Sequence, residues 1–362
     1  MKFLLIAGAR PNFMKIAPVL EAFRPFREAH QVRLVHTGQH YDARMSGAFF
    51  RDLGIPEPDV NLGVGSATHA GQTARVMVAF EQVCLAETPD WVVVVGDVNS
   101  TMACAITAKK LGIRVAHVEA GLRSRDMSMP EEINRLCTDA VSDLLFTTDV
   151  GANQNLRREG VAEEKICFVG NTMIDTLLRH IDRARSIAPL NGYSPGNFAI
   201  LTLHRPSNVD NETTLRGILD AVRSLAARIP VIFPAHPRTM KRLEEFGMLA
   251  SAQSIPGFRV IEPLSYLPFI GLVSHSRMVL TDSGGIQEET TVLGIPCLTM
   301  RANTERPITC DVGTNLLVGV DPDNVKDAAV GVLEGNVHRG RVPDKWDGKA
   351  AQRIVEILVG RG

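Results

Sequence analysis

One rhythm governs this sequence: short runs of Val, Ile and Leu, each closed by a glycine or a polar residue, alternate with amphipathic segments of helical length. The most extreme run, Trp91-Val92-Val93-Val94-Val95, has no polar face, so it reads as a strand covered on both sides. Strands of that kind belong to parallel sheets with helices on both faces. In the first half the other strand candidates are Phe3–Ala7, Val32–Thr37, Val115–Val118, Leu144–Thr147 and Ile166–Val169. The second half repeats the pattern at Phe198–Leu203, Val231–Pro234, Phe258–Ile261, Met278–Thr281 and Cys297–Met300. The repetition predicts two doubly wound, Rossmann-like α/β domains, residues 1–185 and 195–345. Between them Pro189-Leu190-Asn191-Gly192-Tyr193-Ser194-Pro195-Gly196 has the composition of a linker. A last helix, 350–362, is expected to return to the first domain.

The 362 residues carry 39 Lys+Arg against 40 Asp+Glu, so the chain lacks the basic excess of a general nucleic-acid binder and must hold any anion locally. No stretch approaches the roughly 18 to 20 apolar residues of a membrane span, and the opening apolar run meets Arg10 too soon for a secretory signal. A cytoplasmic protein is expected. The six cysteines form no CxxC and no zinc-spaced cluster, which points to buried thiols and no metal.

Open parallel sheets bind ligands beyond the carboxyl ends of their strands, so the residues that close each apolar run carry the information. Thr281-Asp282-Ser283-Gly284-Gly285, followed by Ile286-Gln287-Glu288-Glu289, reads as strand, small-residue turn and helix. That arrangement suits a phosphate at the helix start, with Glu289 able to reach ribose hydroxyls, although a plain strand-to-helix turn has the same composition. Neither GxGxxG nor GxxxxGK[ST] occurs, which counts against a dinucleotide cofactor or a P-loop. Arg10 and Lys15 flank Pro11 after the first strand, where a guanidinium suits a phosphate and a lysine equally suits solvent. Asp97 is either a helix N-cap or a site residue, whereas Glu119 has no helix of its own to cap. Glu131 and Glu132 open a helix, where acids are ordinary dipole partners. His204-Arg205-Pro206 follows a strand directly and offers an acid, a base or a phosphate contact; Thr304-Glu305-Arg306-Pro307 offers another guanidinium.

Gly8-x-Arg10-Pro11-x-x-x-Lys15, Gly96-Asp97, His117-Val118-Glu119-Ala120-Gly121-Leu122-Arg123, Pro130-Glu131-Glu132-x-Asn134-Arg135, Gly170-Asn171-Thr172, His204-Arg205, Thr281–Glu289 and Glu305-Arg306-Pro307 recur in one order across nearly the whole chain. Together they resemble the non-hydrolysing UDP-N-acetylglucosamine 2-epimerases. The resemblance implies a GT-B-like pair of domains with a cleft between them, a homodimer, and an isomerase that needs no cofactor. Such an enzyme interconverts UDP-N-acetylglucosamine and UDP-N-acetylmannosamine through elimination of UDP to 2-acetamidoglucal and re-addition, supplying activated N-acetylmannosamine for surface polysaccharide. It further implies Asp97, Glu119, Glu131 and His204 as the catalytic set. Arg10, Ser283, Gly284 and Gly285 are expected at the phosphates, Glu289 at the ribose and Phe269 at the uracil. His236 and Arg306 complete the phosphate and sugar contacts, with Lys15 and Arg135 in the active-site charge network.

Two departures stand out. Gln39-His40-Tyr41-Asp42 places aspartate where substrate-activated relatives have a second glutamine, which counts against such activation, and Asn12 replaces a common glutamate. Alternative readings are a 2-epimerase for a 2,3-diacetamido uronic acid nucleotide, a hydrolysing epimerase, a GT-B glycosyltransferase, and a non-catalytic UDP-sugar sensor.

Overall fold

The structure, a computed structural model, describes residues 1–38, 53–336, 338 and 340–361. The side chain of Arg10 and the segment Gln39-His40-Tyr41-Asp42 lie outside the described set. The chain divides into two compact units, residues 1–179 with 344–362, and residues 180–343.

In the first unit, β1 (Lys2–Ala7), β2 (Gln31–His36), β3 (Val60–Asn61), β4 (Trp91–Val95), β5 (Arg114–Ala120), β6 (Leu144–Thr147) and β7 (Ile166–Phe168) form one parallel sheet in the order β3-β2-β1-β4-β5-β6-β7. The wholly apolar β4 takes the middle, registered on β1 at Phe3↔Trp91 and on β5 at Val94↔His117. Both its faces are buried by helices, which is why its pattern is a continuous run and not an alternation. Leu4, Ile6, Val92 and Val94 meet Phe80, Cys84 and Cys104 of the covering helices His69–Glu87 and Asn99–Lys110 in one core. Strand order reverses between β1 and β4, and a ligand crevice opens at such a switch point.

The chain's end belongs to this unit. Asp175 accepts hydrogen bonds from Ala351 N at 2.7 Å and Ala350 N at 3.2 Å, closing the start of the helix Ala350–Gly360. Trp346 Nε1 donates to the Thr148 carbonyl at 3.0 Å.

The second unit repeats the plan with β8 (Ala199–Thr202), β9 (Val231–Pro234), β10 (Phe258–Ile261), β11 (Met278–Thr281), β12 (Cys297–Thr299) and β13 (Asn315–Leu317), ordered β10-β9-β8-β11-β12-β13. Its reversal lies between β8 and β11, whose register runs from Met278↔Ala199 to Thr281↔Thr202. Leu201, Phe233, Leu280 and Leu298 anchor its core.

Two strands escaped the sequence reading. β3 and β13 are sheet edges of two and three residues, too short to display a period of their own, and they pair only on one side. Among the described residues no helix is long and apolar enough to cross a membrane.

Candidate active site

At the switch point of the first unit the sequence makes three elements converge. Gly96 leaves β4 with φ +68°, and a Cβ there would stand 3.2 Å from Asn12 Nδ2 and from Lys15 Nζ. Glycine therefore lets the helix Arg10–Ala22 close directly over the end of β4, with Asn12 donating to the Val95 carbonyl at 3.0 Å. Lys15 pairs with the Glu119 carboxylate, and both side chains are buried. Glu119 itself adopts φ +73°, the left-handed region that a side chain disfavours, at the point where the pairing of β5 with β6 shifts between Val118 and Ala120.

The helix Pro130–Val141 supplies the other partners. Arg135, fully buried, reaches Asp97 Oδ2 through Nη1 at 2.5 Å and Glu132 Oε2 through Nη2 at 2.6 Å. Burial alone would raise the Glu132 carboxyl, but the N–H groups of Ser124 and Arg125 and the Arg135 guanidinium outweigh it and hold it below the usual range. Asn134 donates to the Asp97 carbonyl at 2.9 Å. Glu131 stands exposed in the first turn of the same helix, with no ion pair among the described residues. Lys15, Asp97, Glu119 and Arg135 are thus brought together, and Glu131 lies on the neighbouring helical phase.

In the second unit Asp282, at the end of β11, is completely buried and organises the end of β8. Its carboxylate accepts from His204 N at 3.0 Å, from Arg205 N at 2.9 Å and from His204 Nδ1 at 2.8 Å. Burial would raise this carboxyl; the His204 ring and the two backbone N–H groups prevail and keep it ionised below the ordinary range. Because His204 Nδ1 faces the carboxylate, a neutral ring carries its lone pair on Nε2, on the half-exposed side. The ring of His236 lies 5.8 Å away, and its Nδ1 accepts from Arg238 N as the cap of the helix Pro237–Glu245.

The helix Gly284–Leu293 starts beside these residues, and its cap residue Ser283 makes no side-chain bond to the first turn, which leaves those N–H groups available to an anion. Arg306 pairs with Glu288 at 2.8 Å and with Glu305, while Arg301 Nη2 meets Glu305 at 2.8 Å. Burial would raise Glu305, but the surrounding arginines drive it far below the usual carboxylate range. Glu289 is the opposite case: burial, followed by Glu288, pushes it up to about 8, and Tyr266 of the helix Tyr266–Ser274 faces it. Phe269 sits half-buried on that helix. No group of three or more His, Cys, Asp or Glu side chains that could hold a metal occurs among the described residues.

Known proteins carry this architecture. The family model described as UDP-N-acetylglucosamine 2-epimerase matches residues 26–359. The chain belongs to the UDP-N-acetylglucosamine 2-epimerase family. It is 42% identical over 365 residues to the UDP-N-acetylglucosamine 2-epimerase of Methanocaldococcus jannaschii, covering 99% of each chain. A crystal structure of that archaeon's enzyme in complex with UDP-GlcNAc and UDP superposes with a TM-score of 0.91, covering 99% of this chain and 100% of that one. A Pseudomonas aeruginosa relative, UDP-2,3-diacetamido-2,3-dideoxy-D-glucuronate 2-epimerase, is also 42% identical, over 369 residues and 99% of each chain. The fold is accordingly the two-domain, Rossmann-like GT-B type of the epimerases.

Within this family frame, the sequence reading passed over the partners that hold the candidates in place. The sequence pattern marks Asp282 only within the strand-to-helix turn and does not set Glu132, Glu305, His117 and Asp139 apart as site residues. Spacing alone leaves the Arg135 pair open, because i,i+3 puts Glu132 and i,i+4 puts Glu131 within reach of Arg135. The pairing of His117 with Asp139 spans 22 residues and shows only in three dimensions.

Proposed function

We propose that this chain inverts C2 of UDP-N-acetylglucosamine, interconverting it with UDP-N-acetylmannosamine. The observation that carries the reading is the cluster at the first switch point, where two carboxylates, Asp97 and Glu119, are each paired to one cation, Arg135 and Lys15. The C2 proton is not next to a carbonyl, so direct abstraction is slow. Elimination avoids the problem: the C2–H and C1–O bonds break, C1=C2 forms in 2-acetamidoglucal, and UDP leaves with the C1–O electron pair. Re-addition of UDP with protonation of the opposite face gives the epimer. Such a path needs acid/base groups for both faces and cationic stabilisation of the leaving pyrophosphate.

On this reading Asp97, Glu119, Glu131 and His204 handle protons, with Lys15 and Arg135 setting the charge of the first two. Arg10, Ser283, Gly284, Gly285, His236 and Arg306 hold the phosphates and the sugar, Glu289 the ribose and Phe269 the uracil. The availability of the Gly284–Leu293 helix start and the lone pair of His204 Nε2 support these roles. We further infer a cytoplasmic homodimer that supplies activated N-acetylmannosamine for surface polysaccharide.

One experiment tests the reaction: incubation with UDP-N-acetylglucosamine in D2O, followed by NMR. Deuterium at C2 with a manno product supports the proposal, free sugar indicates hydrolysis, and tight UDP binding without exchange indicates a sensor. A 2,3-diacetamido uronic acid nucleotide is the second substrate to offer, because the relative named for it is as similar as the archaeal enzyme.

A further inference from the structure

Among the four candidate acid/base residues only Glu119 has a left-handed backbone, and a single buried carboxylate grips the chain on both sides of it. Asp139, on the helix Pro130–Val141, accepts from His117 Nδ1 at 2.6 Å on the strand side. On the far side it accepts from Gly121 N at 3.0 Å and from Arg123 Nη2 at 2.7 Å. His117 Nε2 lies 2.8 Å from the carbonyl of Gly96, the residue before Asp97. A carbonyl only accepts, so Nε2 carries a hydrogen; an ionised carboxylate only accepts, so Nδ1 carries one as well. All these groups are buried, so no water competes for the bonds.

We propose that Asp139 and His117 are positioning residues that hold, through one relay, both the Glu119 carboxylate and the Gly96-Asp97 corner at a fixed spacing. Asp139 stabilises the disfavoured turn at Glu119 by tying residues 117, 121 and 123 to one point. His117 carries the same constraint across to the end of β4. The relay is read from geometry alone; what it serves, proton transfer at two carboxylates, rests on the epimerase reading above.

The test compares wild type with Asp139→Asn and His117→Gln. A carboxamide nitrogen cannot accept, so asparagine at 139 cannot accept from all three donors with both of its terminal atoms, and the two N–H groups of glutamine leave a single nitrogen that does not span the two acceptors reached by Nδ1 and Nε2 of His117. Each variant is expected to lose about 10²-fold in kcat, with KM and UDP affinity within about threefold of wild type, because displacement and not ligand binding is at stake. Crystal structures of the variants are expected to show Glu119 withdrawn from Lys15. A kcat within about threefold of wild type, or Glu119 unmoved with its left-handed backbone intact, overturns the proposal. Should Asp139→Asn not fold, His117→Gln carries the same expectation, since it leaves Asp139 its bonds to Gly121 and Arg123. If wild type exchanges no C2 proton, the epimerase reading fails by itself, and the variant structures still decide the relay.

Discussion

The two units share one strand order around one switch point but treat buried carboxylates in opposite ways. In the first, the acids around the switch point are ion-paired: Lys15 meets Glu119, Arg135 is shared by Asp97 and Glu132, and Arg123 meets Asp139. In the second, Glu305 is shared by Arg301 and Arg306, Arg306 also meets Glu288, and Glu289, with no ion pair among the described residues, is pushed up to about 8. The same fold thus produces a cluster of ion-paired carboxylates at one switch point and, elsewhere, a cation-rich strand end beside a helix start whose cap residue makes no side-chain bond. The lesson is that the site's chemistry is written in the partners of the strand-end residues, not in the sheet.

Neutralising the paired acids of the first unit is the strongest way to break this contrast. Asp97→Asn and Glu119→Gln are each expected to lower kcat by about 10³-fold or more, while calorimetry finds UDP affinity little changed. His204→Asn in the second unit is expected to do the same if its Nε2 moves a proton. Near-normal turnover in all three would leave the first-unit cluster as a structural network and nothing more.

Next in size is the pH response of Glu289. Its folded value of about 8 lies far above the ordinary 4.5, so between those values the native protein holds a proton that the unfolded chain has released. Stability therefore falls as pH rises through that window and levels off above about 8, by on the order of 5 kcal/mol in total. Urea denaturation from pH 5 to 8 should show that slope in wild type and its loss in Glu289→Gln. Carboxylates held low, such as Glu132, contribute the reverse slope, and only at acid pH.

A pair of glycines sharpens the division of labour. At Gly284 a Cβ would lie 2.7 Å from Arg306 Nη1 and Glu305 Oε1, both locked in buried ion pairs, so Gly284→Ala is expected to weaken UDP binding by about 10- to 100-fold. At Gly96 the crowded atoms belong to Asn12, Lys15 and Glu119, so Gly96→Ala should lower turnover and spare UDP affinity. The two effects, measured on the same preparations by NMR and calorimetry, must not be interchangeable.

How far this arrangement was legible in the sequence follows from the physics of each part. Strands buried on both faces announce themselves as continuous apolar runs, which is why β4 and its neighbours were readable and the edges β3 and β13 were not. Strand ends were readable as candidate positions, because ligand crevices open there in any parallel sheet. Partner choice was not. Whether Glu131 or Glu132 meets Arg135 is a matter of one residue of helical phase, and only the packed helix shows that Glu132 does. Likewise His117 finds Asp139, and Glu305 gathers Arg301 and Arg306, through close approaches that no local pattern encodes.

The smallest expected effect bears on a difference in connectivity: the second unit is continuous, whereas the first is completed only by the return of residues 344–362. Asp175 is the fastening that can be removed most cleanly, because its carboxylate caps the returning helix by accepting from Ala350 N and Ala351 N. Replacing a capping carboxylate by alanine typically costs about 1 kcal/mol. The loss is limited here because Trp346, Lys345 and Arg353 independently bond the carbonyls of Thr148, Phe168 and Val169. Asp175→Ala should therefore raise amide hydrogen exchange in Ala350–Gly360 and lower the stability of the first unit by about 1 kcal/mol, with exchange in residues 199–333 unchanged. Asp175→Asn, whose carboxamide oxygen still accepts from one of the two N–H groups, should fall between alanine and wild type. If exchange rises equally in both units, the returning segment fastens more than the unit to which it belongs, and the independence of the two cores must be given up.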